Sequence, residues 1–162
     1  MPKRVGVFID SMNLYHSITR KFSGRRLDYR AYMDFITPFG DIVLSTVYGA
    51  QVGNEAVGFI YFLKAIGFKV KYKTPKTYYK DGILYRKVDW DVGITVDMLD
   101  LVRSESVDLI VLGSADGDMT PAVQWIQKQG VRCVVVACGV NRDLKSAAYD
   151  CIEIYDSLLE KS

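Results

Sequence analysis

The feature that most constrains the fold is an apolar run that ends in an acidic turn and leads into a helix. Residues 109–112 are apolar at every position, and the small residues that follow carry Asp116 and Asp118. Thr120 and Pro121 then predict a helix start, with Thr120 as the N-cap. A strand without polar alternation is typical of a parallel sheet that is covered on both faces. The two aspartates should therefore lie at the carboxyl end of a buried strand, where open α/β sheets bind their ligands.

The rest of the chain repeats this alternation of strands and helices. Hydrophobic periodicity predicts strands at residues 5–9, 42–48, 68–73, 109–112, 131–137 and 151–155. It predicts helices at residues 14–22, 29–36, 55–66, 92–102, 121–129 and 144–149. Residues 74–80 are predicted to be irregular, before an Asp81-Gly82 turn and a short strand at 83–85. The pattern indicates an α/β fold with a mostly parallel sheet of about five strands.

Composition narrows the class of protein. The chain has 162 residues, 49% hydrophobic and 25% charged, which is ordinary for one globular domain spanning residues 1–162. The net charge of +2 says little about partners. No apolar run approaches the roughly 20 residues of a membrane span, and the run at 5–9 is too short for a signal peptide. Three cysteines without a Cys-x-x-Cys pair indicate reduced thiols rather than zinc. We expect a cytoplasmic protein without a membrane partner.

Aspartates stand at several strand ends and helix starts. Asp10 closes the first strand, and Asp116 and Asp118 follow the central strand. If these strands are neighbours, the three carboxylates meet at one edge of the sheet. Asp91 opens a helix, and Asp97 six residues later points in a different direction because a helical turn takes 3.6 residues. We therefore favour Asp91 as the fourth member of the site.

A gathering of carboxylates predicts a bound cation. Two unit charges about 4 Å apart repel by about 4 kcal/mol at an effective dielectric of 20. Oxygen ligands select Mg²⁺ or Mn²⁺, which can support phosphodiester hydrolysis without a histidine. The one histidine, His16, is expected on a helix surface. The alternative is that the aspartates are only turn and cap residues. Within the metal site, Asp116 is the firmer ligand prediction, and Asp118 is divided between metal binding and helix capping.

Four sequence blocks resemble the NYN domain family, a branch of the PIN-like nucleases that includes the LabA-like proteins. The blocks are VFIDSMNL at 7–14, KVDWDVGITVDM at 87–98, LGSADGDMTP at 112–121 and GVRCVVV at 130–136. The resemblance runs from residue 5 to about residue 154. It departs from the family at Gly113-Ser114-Ala115, where Ser-Gly is usual. It also departs near the C-terminus, where Asn141 stands for Ser and Tyr149 for Asp.

The resemblance implies a Rossmann-like three-layer α/β/α sandwich and a metal-dependent ribonuclease. It implies that catalysis and metal binding fall to four aspartates: Asp10, Asp91, Asp116 and Asp118. It further implies that Asn13 positions the first aspartate or the substrate, and that Ser114 holds the turn or touches phosphate. Asp97 also falls on a family position and is taken as a supporting residue.

A basic segment rich in tyrosine leads into Asp91. Its proposed nucleic-acid-binding residues are Lys69, Lys71, Lys73, Lys76, Tyr78, Tyr79, Lys80, Arg86 and Lys87. Cations neutralise phosphates and tyrosines stack on unpaired bases, so single-stranded RNA is favoured, with DNA not excluded. The alternative is a solvated edge hairpin whose lysines prevent aggregation. Arg25 and Arg26 are further candidates.

Two functions are consistent with these features. The first is a ribonuclease with Mg²⁺ or Mn²⁺ as its cofactor, endo- or exonucleolytic. The second is a non-catalytic module of the same fold that binds RNA or a protein partner. A phospho-acceptor signalling domain fits less well, because no lysine follows the strand at 131–137. The sequence does not decide whether the protein forms a homodimer.

Overall fold

The computed structural model describes residues 1–51 and 53–161 and forms an α/β fold. Its strands are β1 Arg4–Asp10, β2 Asp41–Ala50, β3 Lys69–Lys73, β4 Lys76–Lys80, β5 Ile83–Lys87, β6 Leu109–Gly113, β7 Arg132–Ala137 and β8 Asp150–Glu153. Its helices are α1 Ser11–Lys21, α2 Tyr29–Ile36, α3 Gly53–Ala65, α4 Asp91–Arg103, α5 Thr120–Lys128 and α6 Arg142–Ala147. No helix among these residues is long and apolar enough to cross a membrane.

The central sheet has six strands in the order β3-β2-β1-β6-β7-β8, and every neighbouring pair is parallel. This confirms the predicted parallel sheet, with one strand more than expected. β1 and β6 are neighbours, and Ile9 pairs with Gly113, so both strands end at the same level. The strand order reverses between these two strands, which makes their carboxyl ends the topological switch point of the sheet.

Helices cover both faces of the sheet. On one face, Leu101 of α4 lies against the backbone of Gly6 in β1. On the other face, the hydroxyl of Tyr32 from α2 lies near Gly113 and donates to the Val136 carbonyl at 2.9 Å. The residues between the helices and the sheet are almost all apolar and buried. This packing holds the carboxyl ends of β1 and β6 in fixed positions.

Most of the segment predicted to be irregular is a strand. β4 pairs with β5 in an antiparallel hairpin, so the expectation is wrong for residues 76–80, whereas Thr74 and Pro75 lie between strands. Asp81 and Gly82 have φ values of 53° and 77°, as a two-residue type I′ turn requires. This turn aligns Lys80 with Ile83 and sets the register of both strands. All residues of the two strands are exposed, which explains why no burial pattern marked β4.

Side-chain caps explain where α1 and the 3-10 turn Gly117–Met119 begin, whereas α5 begins without one. α1 begins at Ser11, three residues earlier than predicted, because the Asp10 carboxylate accepts from the Asn13 amide at 3.1 Å. Thr120 is not the N-cap that the sequence predicted: it lies inside α5, behind the short 3-10 turn Gly117–Met119. Asp116 caps that 3-10 turn, because its Oδ1 accepts from the Asp118 amide at 2.9 Å. The expected capping role of Asp118 is therefore wrong.

Candidate metal centre

Three aspartates converge at the carboxyl edge of the sheet. Asp91 begins α4, and Asp116 and Asp118 belong to the turn after β6. Each offers a carboxylate oxygen, and the three oxygens lie within 4.8 Å of one another. Asp91 and Asp116 are half-buried and Asp118 is exposed, so the cluster is open to solvent on one side. Two elements distant in sequence, the turn after β6 and the start of α4, thus bring their acids to one point.

Asp10 lies in the same cleft but outside this tight cluster. It is 7% exposed and lines a cleft of about 630 Å³ together with Asp91, Asp116 and Asp118. Burial raises the pKa of Asp10, and the charge of Asp116 adds to the rise, although backbone N–H groups of Asn13 and Met12 oppose it. Asp10 therefore adds a fourth carboxylate beside the cluster.

Electrostatic crowding is strongest at Asp91. Burial raises the pKa of Asp91 to about 7, and a carboxyl–carboxyl hydrogen bond with Asp116 contributes further. The negative charges of Asp116, Asp89 and Asp10 act in the same direction. A proton on Asp91 relieves this repulsion when no cation is bound.

Asp89 and His16 also line the cleft, and sequence reasoning did not assign either to the site. The Asp89 carboxylate accepts from the Asp91 amide at 2.9 Å and so helps to fix the start of α4. Its position two residues before Asp91 was the available signal. His16 is exposed on α1, as predicted, but faces the cleft. The sequence could not show this placement, because it depends on the direction in which α1 leaves Asp10.

The turn that carries Asp116 is held by the two predicted supporting residues. Asn13 Oδ1 accepts from the Ala115 amide at 2.9 Å, which ties the β6 turn to α1. Ser114 is fully buried, and its Oγ accepts from the Asp116 amide at 3.3 Å. In this structure both side chains therefore hold the turn.

Trp90 anchors the segment that carries Asp91. Its indole N–H donates to the Gly49 carbonyl at 3.0 Å, and its ring lies 5.2 Å from that of Tyr48. The Lys73 ammonium lies 4.3 Å from the indole centroid and donates to the Asp89 carbonyl. A Cβ at Gly93 would lie 2.8 Å from the indole, so Gly93 leaves room for the ring. These contacts bind the start of α4 to β2 and β3.

Asp97 lies away from the acidic cluster, as the helical spacing predicted. Its Oδ2 accepts from the Tyr48 hydroxyl at 2.7 Å and from the Lys71 ammonium at 2.8 Å. These residues and Lys69 line a separate, smaller cleft. The hydrogen bond and the charge of Asp97 add to burial in raising the pKa of Tyr48. In the structure, Asp97 joins α4 to the sheet.

The basic segment is divided between two places. The cationic face of β3, with Lys69, Lys71 and Lys73, is directed towards α4. Lys71 and Lys73 contact protein groups, and the role of the three lysines as phosphate ligands stays a prediction. The remaining predicted residues lie on the exposed hairpin: Lys76, Tyr78, Tyr79, Lys80, Arg86 and Lys87.

The base of the hairpin forms a wall of the acidic cleft. Arg86 and Lys87 line it together with the aspartates. Further along the hairpin, the rings of Tyr78 and Tyr85 stack at 5.4 Å with an interplanar angle of 15°. Arg25 is engaged elsewhere, because its guanidinium contacts Asp156 and the Glu160 carbonyl. Acidic and basic groups therefore share one cleft.

The donor set fits a hard divalent cation. All three clustered ligand atoms are carboxylate oxygens, the type that Mg²⁺ and Mn²⁺ prefer. Metal–oxygen bonds of about 2.0–2.6 Å place oxygens on opposite sides of an ion roughly 4–5 Å apart. The three carboxylate oxygens lie within 4.8 Å of one another, which is compatible with that span. Burial and the neighbouring carboxylates together raise the pKa of Asp91, and a bound cation would offset the repulsion among these charges.

Comparisons with known proteins agree with this geometry. The chain is 26% identical to the low amplitude and bright protein LabA of Synechococcus elongatus, covering 99% of this chain and 90% of the relative. It is 24% identical to an uncharacterized protein of Methanocaldococcus jannaschii, covering 93% of this chain and 55% of that protein.

A solved structure shows the same fold. The crystal structure of a protein of unknown function from Vibrio parahaemolyticus matches with a TM-score of 0.86 at 25% identity, over 98% of this chain and 97% of that one. The family model of the NYN domain matches residues 4–156 of this chain. With the acidic cluster at the switch point of a parallel sheet, these matches confirm that the chain belongs to the NYN domain family, a family of PIN-like nucleases.

Proposed function

We propose that this protein is a Mg²⁺- or Mn²⁺-dependent ribonuclease that hydrolyses phosphodiester bonds of single-stranded RNA in the acidic cleft. The observation that carries the proposal is the convergence of three carboxylate oxygens within 4.8 Å in a cleft that Arg86 and Lys87 also line. The acids suit a cation, and the basic wall suits a polyanion.

The proposed metal ligands are Asp91, Asp116 and Asp118, with Asp10 as a fourth carboxylate beside them. When bound, Mg²⁺ or Mn²⁺ polarises a phosphate oxygen and lowers the pKa of a water molecule. Asn13 and Ser114 keep Asp116 in place through the turn. Asp97 and Trp90 act from the other side by fixing α4 to the sheet.

The proposed substrate path follows the hairpin. Arg86 and Lys87 would bind phosphates next to the acids, and the tyrosines further along would stack on unpaired bases. Exposed bases occur in single strands rather than in a duplex, so a single strand is the proposed substrate. We favour RNA over DNA because the family resemblance implies a ribonuclease. A DNA strand of the same sequence serves as the comparison substrate.

Cleavage of a fluorescent single-stranded RNA with Mn²⁺ tests the proposal. We expect the wild-type protein to cleave it, and Asp10→Asn and Asp116→Asn to lose at least about 100-fold in rate, as removal of one strong electrostatic contribution typically does. The matched control is Asp34→Asn, which removes one negative charge from an exposed position on α2. That variant should retain wild-type activity.

Equal cleavage by the wild-type protein and all three variants would contradict the proposal, because it would show a contaminating nuclease or a different site. The products distinguish an endonuclease from an exonuclease. A circular single-stranded RNA has no ends, so its cleavage would show endonucleolytic activity.

A second candidate function is RNA binding without cleavage. It is favoured by the separation of the stacked Tyr78–Tyr85 pair from the acids, since the pair lies on an element of its own. Binding of the same RNA that persists with a chelator, together with no cleavage under any divalent metal, would support this function. Binding that needs the metal would contradict it.

A further inference from the structure

Helix α3 is apolar on nearly every side, yet Leu63 is the one fully buried residue among those that the structure describes in it. A helix that is hydrophobic all round is normally buried in a core. Here Phe59 and Phe62 are 39% and 40% exposed, and Tyr61 is 71% exposed. Val57 is also exposed. An exposed and mostly apolar surface of this kind marks an interaction site.

We infer that the outer surface of α3 is the interface of a homodimer, in which α3 packs against α3 of a second copy. We call this surface the α3 face; its residues are Val57, Gly58, Phe59, Tyr61 and Phe62. The inference is independent of the proposed nuclease activity, because these residues do not line the acidic cleft.

The exposed area of α3 is a large part of what a stable dimer needs. Taking about 200 Å² for one aromatic side chain, the exposed parts of Phe59, Tyr61 and Phe62 offer roughly 300 Å² of mostly apolar surface per copy. A standard interface buries about 800 Å² per partner, of which about 57%, or roughly 450 Å², is apolar. Three residues of α3 therefore supply about two-thirds of the apolar area.

The α3 face is also complementary to itself. Tyr61 projects into solvent, and Gly58 lies three residues earlier on the same side of the helix. In the described part of the chain, apart from the two neighbouring residues and the backbone of the helix itself, no atom comes within 4 Å of the position that a Cβ of Gly58 would take. Across a two-fold axis, Tyr61 of each copy can occupy the space over Gly58 of the other. Such reciprocal contacts define an isologous dimer.

A lipid surface fits the helix less well than a second copy. α3 has 13 residues, or about 20 Å of helix, short of the roughly 30 Å of a bilayer core. Helices that lie on membranes carry lysine and arginine along a polar face. α3 carries one cation, Lys64, and one acid, Glu55. Its chemistry is that of a protein interface.

The test is the molar mass in solution, measured by sedimentation equilibrium or light scattering over a wide concentration range. The wild-type protein should be a dimer. Tyr61→Lys should raise the dimer Kd by about 30-fold or more, the effect expected of a central aromatic residue. The matched control is Tyr79→Lys, at a tyrosine on the hairpin that is 75% exposed. It should leave the dimer intact.

Gly58→Gln provides a second variant that keeps the fold. Glutamine has the higher helix propensity, and the site has open space, so the monomer should be at least as stable as the wild type. The same substitution fills the space over Gly58 and should weaken the dimer. A monomeric wild-type protein, or a dimer that survives both Tyr61→Lys and Gly58→Gln, would overturn the inference.

Discussion

At the scale of single residues, the acidic site depends on how strongly each carboxylate is perturbed. Asp116 is half-buried, caps a turn and contributes an oxygen to the cluster. Asp118 contributes an oxygen from an exposed position without capping anything. Asp91 carries the largest electrostatic cost, because its pKa rises to about 7. In the metal-free protein its charge opposes folding, so stability is lost as the pH rises from its ordinary pKa of 3.8 to about 7.

The raised pKa of Asp91 predicts that Mn²⁺ affinity depends on pH. Below about pH 7 the ion must displace a proton from Asp91, so the affinity should fall about tenfold between about pH 8 and about pH 6. Isothermal titration calorimetry measures this change. Asp91→Asn should bind more weakly and lose the pH dependence.

Asp118→Asn is the control for this prediction. It also removes a proposed ligand, but Asp118 does not contribute to the raised pKa of Asp91. The variant should therefore bind more weakly and keep the pH dependence. A wild-type affinity that is flat over this pH range would contradict the assignment of Asp91.

At the scale of elements, contacts with β2 and β3 at one edge of the sheet set the position of α4. β3 contributes Lys71 to Asp97 and Lys73 to the Asp89 carbonyl, and Trp90 donates to β2. The start of α4 has no side-chain N-cap of its own. Besides the Asp89 carboxylate, which accepts from the Asp91 amide, tertiary contacts therefore hold the start of α4. The residues that make these contacts should control metal binding without being ligands.

Trp90→Ala should weaken Mn²⁺ binding by about tenfold, the usual effect of removing a group that orients a metal ligand. Trp90→Phe keeps a ring against Tyr48 and Lys73 and should recover part of the affinity. Trp125→Ala is the matched control, because Trp125 is half-buried on α5 outside the cleft. Thermal melting of each variant separates lost folding from lost metal binding. Equal metal affinity in Trp90→Ala and the wild type would argue against this role.

At the scale of the whole molecule, the site joins distant parts of one cooperative fold. The clustered acids come from the turn after β6 and the start of α4, so a shared ion would cross-link these elements, with Asp10 at the end of β1 beside it. Ligands that bind only the folded state stabilise it by mass action.

Mn²⁺ should therefore raise the melting temperature. At about 100 times its Kd, the stabilisation is about 2.7 kcal/mol, or roughly 5–10 °C for a domain of this size. Differential scanning calorimetry measures the shift. Asp116→Asn should lose it and Asp34→Asn should keep it. An equal shift in both variants would place the ion elsewhere.

The local structure and the family were determined by the sequence itself. Apolar runs identified the strands of the parallel sheet, and Asp81-Gly82 identified the hairpin turn, because steric and hydrophobic preferences act over a few residues. The aspartates at strand ends and helix starts were also visible. β4 was missed because both its faces are exposed, which leaves no hydrophobic period to detect.

Only the tertiary structure decided which side chains meet. The adjacency of β1 and β6 brings Asp10 beside Asp116, and the approach of α4 adds Asp91 and Asp89. The path of β3 turns Lys71 and Lys73 towards α4. The packing of the helices on the sheet leaves the outer side of α3 exposed. These outcomes depend on strand order and on contacts between residues far apart in the chain, for which local sequence patterns carry no signal.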